Sequence, residues 1–326
     1  MYYLGIDIGG TKCAVSLGLD SADDFIIKDK EKFPTAGNTP YEVLDKFLLH
    51  AKELIARHGL TFSDISGIGV SCGGPLDAEK GIILSPPNLP GWDRIPVKEF
   101  FEKNTGVKTK LQNDANACAV AEWLFGAGKG FKNVVFLTFG TGLGAGLILD
   151  GRLYSGTSDM AGEIGHVRLT DYGPFGFGKY GSCEGYCSGG GIAQLGRLAV
   201  NEALAAGKTP RLLEVAGSIE NISAKIIGDL AETEGDEFCL EIYRKCGEKL
   251  GQTLSIIVDL LNPERIILGG VFMRSSGIIV PAMDKVMKEE CLSYSLDVCK
   301  VVPAGLGEKI GDFAALSLAK LASEEK

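Results

Sequence analysis

Asp7-Ile8-Gly9-Gly10-Thr11-Lys12 opens the chain between two apolar stretches, one ending at Ile8 and the other running from Cys13 to Leu17. A carboxylate, two glycines and a hydroxyl in a hairpin turn form a phosphate and metal site. Glycines let backbone N–H groups approach phosphate oxygens, Thr11 adds a hydroxyl donor, and Asp7 can hold Mg²⁺ through water. An ordinary Gly-Gly hairpin turn accounts for the glycines equally well, so the motif does not decide alone.

Working outward, the pattern recurs. Val134 to Thr138 reads as a strand, Gly140-Thr141-Gly142-Leu143-Gly144-Ala145-Gly146 as a glycine hairpin, and Leu147 to Leu153 as its continuation. Two strand, Gly/Thr turn, strand units suggest duplicated domains facing one cleft. Around the first unit the sequence gives a strand over Phe25 to Lys32, an amphipathic helix over Tyr41 to His58 and a buried strand, Gly67 to Ser71, leading into Cys72-Gly73-Gly74-Pro75. A short helix, Val97 to Asn104, and a strand, Thr109 to Gln112, follow. After the irregular stretch Thr157 to Gly191, helices are expected over Gly191 to Ala206, Ala224 to Thr233 and Asp236 to Leu261. A strand Arg265 to Leu268 then ends at Gly269-Gly270, and a closing helix spans Ile310 to Leu321. The expected domains are 1–113 with 305–326, and 114–304.

With 326 residues, 45% of them hydrophobic, the chain is long enough for two well-packed domains. A net charge of −9 argues against nucleic acid as a main partner. No basic leader and no apolar run of membrane-spanning length is visible, so a cytoplasmic location without membrane association is expected. Nine cysteines, mostly single within apolar segments, read as reduced thiols.

Several stretches together resemble one family, the ROK group of repressors, open reading frames and kinases, in particular its glucokinase-like sugar kinases within the actin-like ATPase (ribonuclease H-like) fold. Asp7 to Lys12 resembles its first phosphate motif, Thr138-Phe139-Gly140-Thr141-Gly142 its second, and Leu268-Gly269-Gly270-Val271 its adenosine motif. Gly73-Gly74-Pro75, Asn113-Asp114-Ala115-Asn116, Glu163-Ile164-Gly165-His166 and Glu184 resemble its sugar-site pieces. The resemblance runs nearly end to end. It implies an α/β fold of two domains with a central nucleotide and sugar cleft, ATP and Mg²⁺ as cofactors, a small-molecule sugar as partner and a homo-oligomer, dimer or tetramer.

Phosphoryl transfer asks for the same residue types independently, because it rests on positioning and charge neutralisation. Asp114 stands where a strand ends and a helix begins, placed to accept a proton from an attacking hydroxyl. The competing reading is that Asn113 or Asp114 only caps that helix, and Asp114 can do both. Asn88, Asn113, Glu163, His166 and Glu184 are the polar residues in family-like positions for sugar hydroxyls. Glu163 and His166, three residues apart, are able to project together from one turn.

One departure is sharp. Many relatives carry a structural zinc on Cys-x-Cys-Gly-x-x-Gly-Cys with the sugar-site histidine as fourth ligand. Here the aligned stretch is Phe175-Gly176-Phe177-Gly178-Lys179-Tyr180-Gly181-Ser182. All three thiolates are replaced, so no zinc is expected. Cys183 and Cys187 offer only half a site with His166. The aromatic replacements are expected to hold the loop by apolar packing.

Gly140-x-Gly142-x-x-Ala145 formally matches a dinucleotide fingerprint, but a strand rather than a helix is expected after it. A repressor would carry an added DNA-binding domain, and the acidic chain begins directly at its first phosphate strand. The expected activity is ATP-dependent phosphorylation of a hexose, first of all glucose to glucose 6-phosphate. N-acetylmannosamine, N-acetylglucosamine or fructose as acceptor, and a non-catalytic sugar sensor, are the alternatives.

Overall fold

The computed structural model describes residues 1–21 and 25–325, which divide into two compact units. Unit 1 comprises Met1–Gly130, Gly146–Ala161 and Gly305–Lys326; unit 2 comprises Phe131–Ala145 and Gly162–Ala304.

Unit 1 is built on a five-stranded sheet. Its strands are β1 (Tyr2–Ile8), β2 (Lys12–Asp20), β3 (Phe25–Pro34), β4 (Ile65–Cys72) and, after the small sheet β5 (Leu76–Asp77), β6 (Ile82–Leu84) and β7 (Asp93–Pro96), β8 (Thr109–Asn113). The order is β3-β2-β1-β4-β8. The first three strands are antiparallel, while β1, β4 and β8 run parallel. One face is covered by α1 (Pro40–Arg57), which starts at a Thr39/Glu42 capping box with Pro40 in its first turn. That helix buries Val43, Leu44, Phe47, Ala51, Leu54 and Ile55 against Ile6, Ile8, Val15, Ile68 and Val70. The larger of these side chains are worth about 2 kcal/mol each in apolar burial.

The other face takes the C-terminal helix, Ile310–Glu324. It lies so close that a side chain at Gly67 or Gly69 on β4 would collide with the carbonyls of Ala319 and Ala315. Small residues on both sides permit this approach, and Leu316 and Phe313 fill the flank against Tyr3 and Phe25. Beside it runs α3 (Asp114–Phe125), which follows β8 directly, α2 (Val97–Thr105) lying before β8.

Unit 2 begins with β9 (Val134–Phe139) and the turn into β10 (Leu143–Leu149), whose second half belongs to unit 1 and pairs there with β11 (Arg152–Tyr154). A short hairpin, β12 (Phe175–Gly176) and β13 (Lys179–Tyr180), precedes the helices α4 (Cys183–Tyr186), α5 (Gly189–Ala205), α6 (Arg211–Ala216), α7 (Ala224–Asp229) and α8 (Glu237–Leu261). Then come β14 (Arg265–Leu268), α9 (Val271–Glu290), α10 (Ser293–Val298) and β15 (Lys300–Pro303), with β14 parallel to both β9 and β15. Among the described residues no helix is long and apolar enough to cross a membrane.

One buried charge organises the end of unit 1. Glu122, on α3, has no exposed surface. Its carboxylate accepts backbone N–H bonds from Ala127 (2.8 Å), Gly305 (3.0 Å) and Leu306 (2.9 Å). Bonds to an ionised acceptor are worth roughly 1.5–3 kcal/mol each, and donors left without it bear a desolvation cost. Glu122→Gln, which turns an NH₂ group toward these donors, should therefore lower unfolding stability by about 3 kcal/mol in urea titration. A loss under about 0.5 kcal/mol would show that water replaces the carboxylate.

Candidate active site

In unit 1 the candidate residues gather at the carboxyl ends of three adjacent strands. Asp7 pairs with Ser71, Ile8 with Cys72, and Cys72 with Asn113. Open α/β sheets bind ligands at this edge because the strands stop there and the following loops and helix N-termini present backbone donors. Asn113 accepts the Asn116 N–H at 2.8 Å and so caps α3. Asp114 is thereby placed in the first helical turn, its Oδ1 accepting the Ala115 N–H at 2.8 Å.

Both carboxyls are held above their ordinary range. Burial pushes Asp7 up to about 6; Lys30 opposes this, while Asp312 and Asp114 add to it. Lys30 is itself engaged by Asp312, which weakens its pull on Asp7. Asp114 is also raised, by loss of water around it, against the Ala115 N–H that favours its ionised form. Asp114 is exposed as a residue, yet enough protein surrounds its carboxyl to desolvate it.

The turn between β1 and β2 is as tight as its glycines imply. A Cβ on Gly9 would stand 2.5 Å from the Lys12 carbonyl, and one on Gly10 would strike the Asn88 carbonyl. Asn88 thus backs the turn with its main chain, and its side-chain amide reaches the place a Gly73 Cβ would occupy, at 3.2 Å. Thr11 and Lys12 are exposed. Thr35 was not singled out from the sequence, yet its hydroxyl donates to the Gly9 carbonyl at 2.6 Å and its N–H to the Thr11 carbonyl at 3.1 Å. Nothing local marks it, since it acts from β3's end across two strands.

In unit 2 the second turn is stapled from inside. The Thr138 hydroxyl donates to the Gly144 carbonyl (3.3 Å) and accepts its N–H (3.0 Å), and the Gly140 N–H reaches the Gly142 carbonyl at 3.0 Å. Glu184 closes on this turn, its carboxylate accepting the Leu143 N–H at 3.0 Å. Gly270, with φ of 63°, lies against the Phe139 carbonyl where no side chain fits, directly before α9. Gly189 and Gly190, at the start of α5, donate to the carbonyls of Gly140 (2.8 Å) and Thr141 (3.4 Å). A Ser188 cap followed by three glycines marks these two in the sequence, whereas the helix is expected there only from Gly191. Two helix N-termini therefore flank the turn, which favours an anionic group there.

The Glu163–His166 turn packs on the same structure. The Ala145 N–H bonds the Gly162 carbonyl at 3.0 Å, and Gly165 lies against the Leu143 carbonyl and the Glu184 Cβ. His166 Nε2 stands 3.6 Å from Glu163 Oε2, so the two side chains do project together. Cys183 and Cys187 face away, toward Thr253 and Cys246 of α8. Because β10 continues as strand, the dinucleotide fingerprint lacks the helix it requires.

This mixed α/β chain, with two glycine turns and a carboxylate pair at a sheet edge, has the actin-like ATPase fold. The ROK family model matches residues 3–322, and the chain is a member of that family. It is 31% identical to a glucokinase of Thermotoga maritima over 97% of this chain and 96% of that one. Among solved structures it resembles a ROK family glucokinase from Streptomyces griseus in complex with glucose and AMPPNP (TM-score 0.74, 29% identity, 98% of this chain and 100% of that chain). It also resembles a ROK family transcriptional regulator, a homologue of the Escherichia coli MLC protein (TM-score 0.82, 26% identity, 99% of this chain and 78% of that chain).

The raised Asp7 carboxyl has a measurable consequence. The native group keeps its proton to about pH 6, whereas the unfolded one loses it near 3.8. The native state then binds more protons in that window, so stability declines as pH rises through it, and the cost is complete above about 6. Asp7→Asn removes the penalty and should be the more stable protein at pH 8, by on the order of 2–3 kcal/mol. Denaturant titrations should show this advantage shrinking toward zero below about pH 4. Parallel pH curves for the two proteins would contradict the shift.

Proposed function

We propose that this protein is an ATP-dependent sugar kinase that transfers the γ-phosphate of ATP to a hexose hydroxyl, with the 6-hydroxyl of glucose as the preferred acceptor. The observation that carries this reading is the Asp114 carboxyl, raised and recessed in the first turn of α3, at the same sheet edge as Asp7 and beside the cap Asn113. The relatives named glucokinase support the acceptor class.

In this reading Asp114 takes the proton of the acceptor hydroxyl as its oxygen bonds to the γ-phosphorus. The bond from phosphorus to the ADP oxygen breaks, and ADP leaves with that electron pair. A carboxylate with a raised pKa is a stronger base, which suits the role. The N–H groups of the Gly9–Gly10 turn and of the Gly140–Gly142 turn would receive phosphate oxygens. Gly269 and Gly270 would lie along the adenosine, and Asp7 would hold Mg²⁺ through water. When bound, Mg²⁺ supplies neutralisation of the phosphate charge. Glu163, His166, Glu184, Asn88, Asn113 and the backbone at Gly73 would replace the water stripped from the sugar. The same reading assigns no zinc to the Phe175–Ser182 hairpin, which lacks thiolates.

A second reading, a sugar sensor without turnover, is favoured by the similarity to the transcriptional regulator. A coupled ADP-release assay with Mg-ATP against glucose, mannose, fructose, N-acetylglucosamine and N-acetylmannosamine separates the two. Glucose should give the highest kcat/KM. Asp114→Asn should lower kcat by about 10²-fold or more while leaving glucose binding by calorimetry within a few-fold. Wild-type binding of a sugar with no ADP release would favour the sensor; near-normal turnover in Asp114→Asn would remove the base assignment.

A further inference from the structure

The β12–β13 hairpin closes through two residues, Phe177 and Gly178, because Gly176 pairs directly with Lys179. Both loop residues have positive φ, 35° and 83°. A two-residue hairpin loop with this geometry normally carries Asn-Gly, since Asn tolerates the left-handed region and a bulky side chain does not. Phenylalanine at the first position is locally unfavourable. It is also 68% exposed, so core burial does not compensate.

What the ring touches is His166. The two rings meet edge to face, with centroids 4.8 Å apart and an interplanar angle of 76°. The next strand adds a second hold, as Lys179 Nζ donates to the His166 carbonyl at 3.0 Å. The hairpin is itself braced at its base. Gln194 on α5 accepts the Phe175 N–H (3.0 Å) and donates to the Phe175 carbonyl (2.7 Å), and Phe175 packs edge-on against Tyr180. A fixed strut thus ends in an aromatic ring pressed on one imidazole. Backbone strain kept at an exposed tip points to a functional constraint on that contact.

We infer that Phe177 is a positioning residue for sugar recognition: its ring holds the His166 imidazole in the orientation that faces Glu163, so that both present their polar atoms to the same sugar. The inference rests on the sugar-kinase reading for its ligand, and on the ring contact alone for its geometry. An edge-to-face aromatic contact restricts rotation of the imidazole about its χ angles without adding a polar atom that would compete with a hydroxyl.

Phe177→Asn is the decisive variant, because it removes the ring while giving the loop its preferred residue. Its melting temperature should equal or exceed that of the wild type. Its Kd for glucose by calorimetry, and its glucose KM, should rise about tenfold, with kcat and the ATP KM within about twofold. Phe177→Tyr should restore wild-type values. With only three histidines in the chain, the His166 ring protons can be assigned by NMR, and their ring-current shift should disappear in Phe177→Asn and persist in Phe177→Tyr. Unchanged glucose Kd and KM in Phe177→Asn, in a protein whose wild type binds and phosphorylates glucose, would overturn the positioning role and leave the kinase reading intact. If the wild type binds none of the assayed sugars, the kinase reading fails and this inference fails with it. If the wild type binds a sugar without turnover, the same Kd comparison decides the positioning role.

Discussion

Glu122 carries a charge into a place with no exposed surface, and several kcal/mol of lost hydration must be offset there by directed bonds. The donors are backbone groups of Ala127, Gly305 and Leu306. Ala127 precedes the point where the chain leaves unit 1, at Gly130, and Gly305 is where it returns from unit 2. One carboxylate thus ties the outgoing segment to the incoming one. The incoming segment leads within a few residues into the helix Ile310–Glu324, whose fit over Gly67 and Gly69 covers one face of the sheet that ends in Asp7 and Asn113. At the other end of α3 stands Asp114, capped into register by Asn113. The placement of the candidate base therefore depends on the helix that Glu122 anchors at its far end.

The sheet edge then sets its own electrostatics. Asp7 sits in low-dielectric surroundings with Asp114 and Asp312 adding negative charge, and of the two lysines that oppose this, Lys30 and Lys32, the first is held by Asp312. A region that disfavours its own ionised carboxylates gains when a cation arrives or when a proton does. At Asp114 the Ala115 N–H of the α3 N-terminus offsets part of that cost, whereas at Asp7 the opposing groups are Lys30 and Lys32. The same stored cost explains why stability at this edge should fall as pH rises toward and past about 6.

Much of the architecture was legible because its signals are local. The turn at Gly9–Gly10, the helix that buries Val43 to Ile55, the strand Arg265–Leu268 and the long helix ending at Leu261 all follow from periodicity and glycine punctuation. The helix Val271–Glu290 was not legible. Gly277 and Pro281 interrupt its pattern, and it kinks at Ser275, being held by packing against α8, where Gly247 and Gly251 meet the carbonyls of Ile279 and Met283. Ala224–Asp229 passes into a π-turn over Leu230–Glu234, where a continuous helix was expected through Thr233. At the site, residue types were readable and their neighbours were not. Thr35 acts through contacts between segments far apart in sequence, which no single-sequence pattern records; Ser188 and its glycines mark a helix start, but not the contacts of Gly189 and Gly190 with Gly140 and Thr141.

Contact geometry also changes what the legible residues mean. Thr138, Asn113 and Glu184 look from the sequence like groups offered to a ligand, yet each is engaged with backbone: Thr138 with Gly144, Asn113 with the α3 N-terminus, Glu184 with Leu143. Their removal would disturb the turn or helix start that presents the N–H groups, so loss of activity in such variants would not by itself identify a ligand contact. Asn113 still has its side-chain NH₂ and Glu184 a second carboxylate oxygen, so these two can serve structure and ligand at once. Thr138 both donates and accepts within the turn, which leaves a ligand little of its hydroxyl. What this segment offers an anion is the backbone that Thr138 shapes, together with the two helix N-termini that flank it.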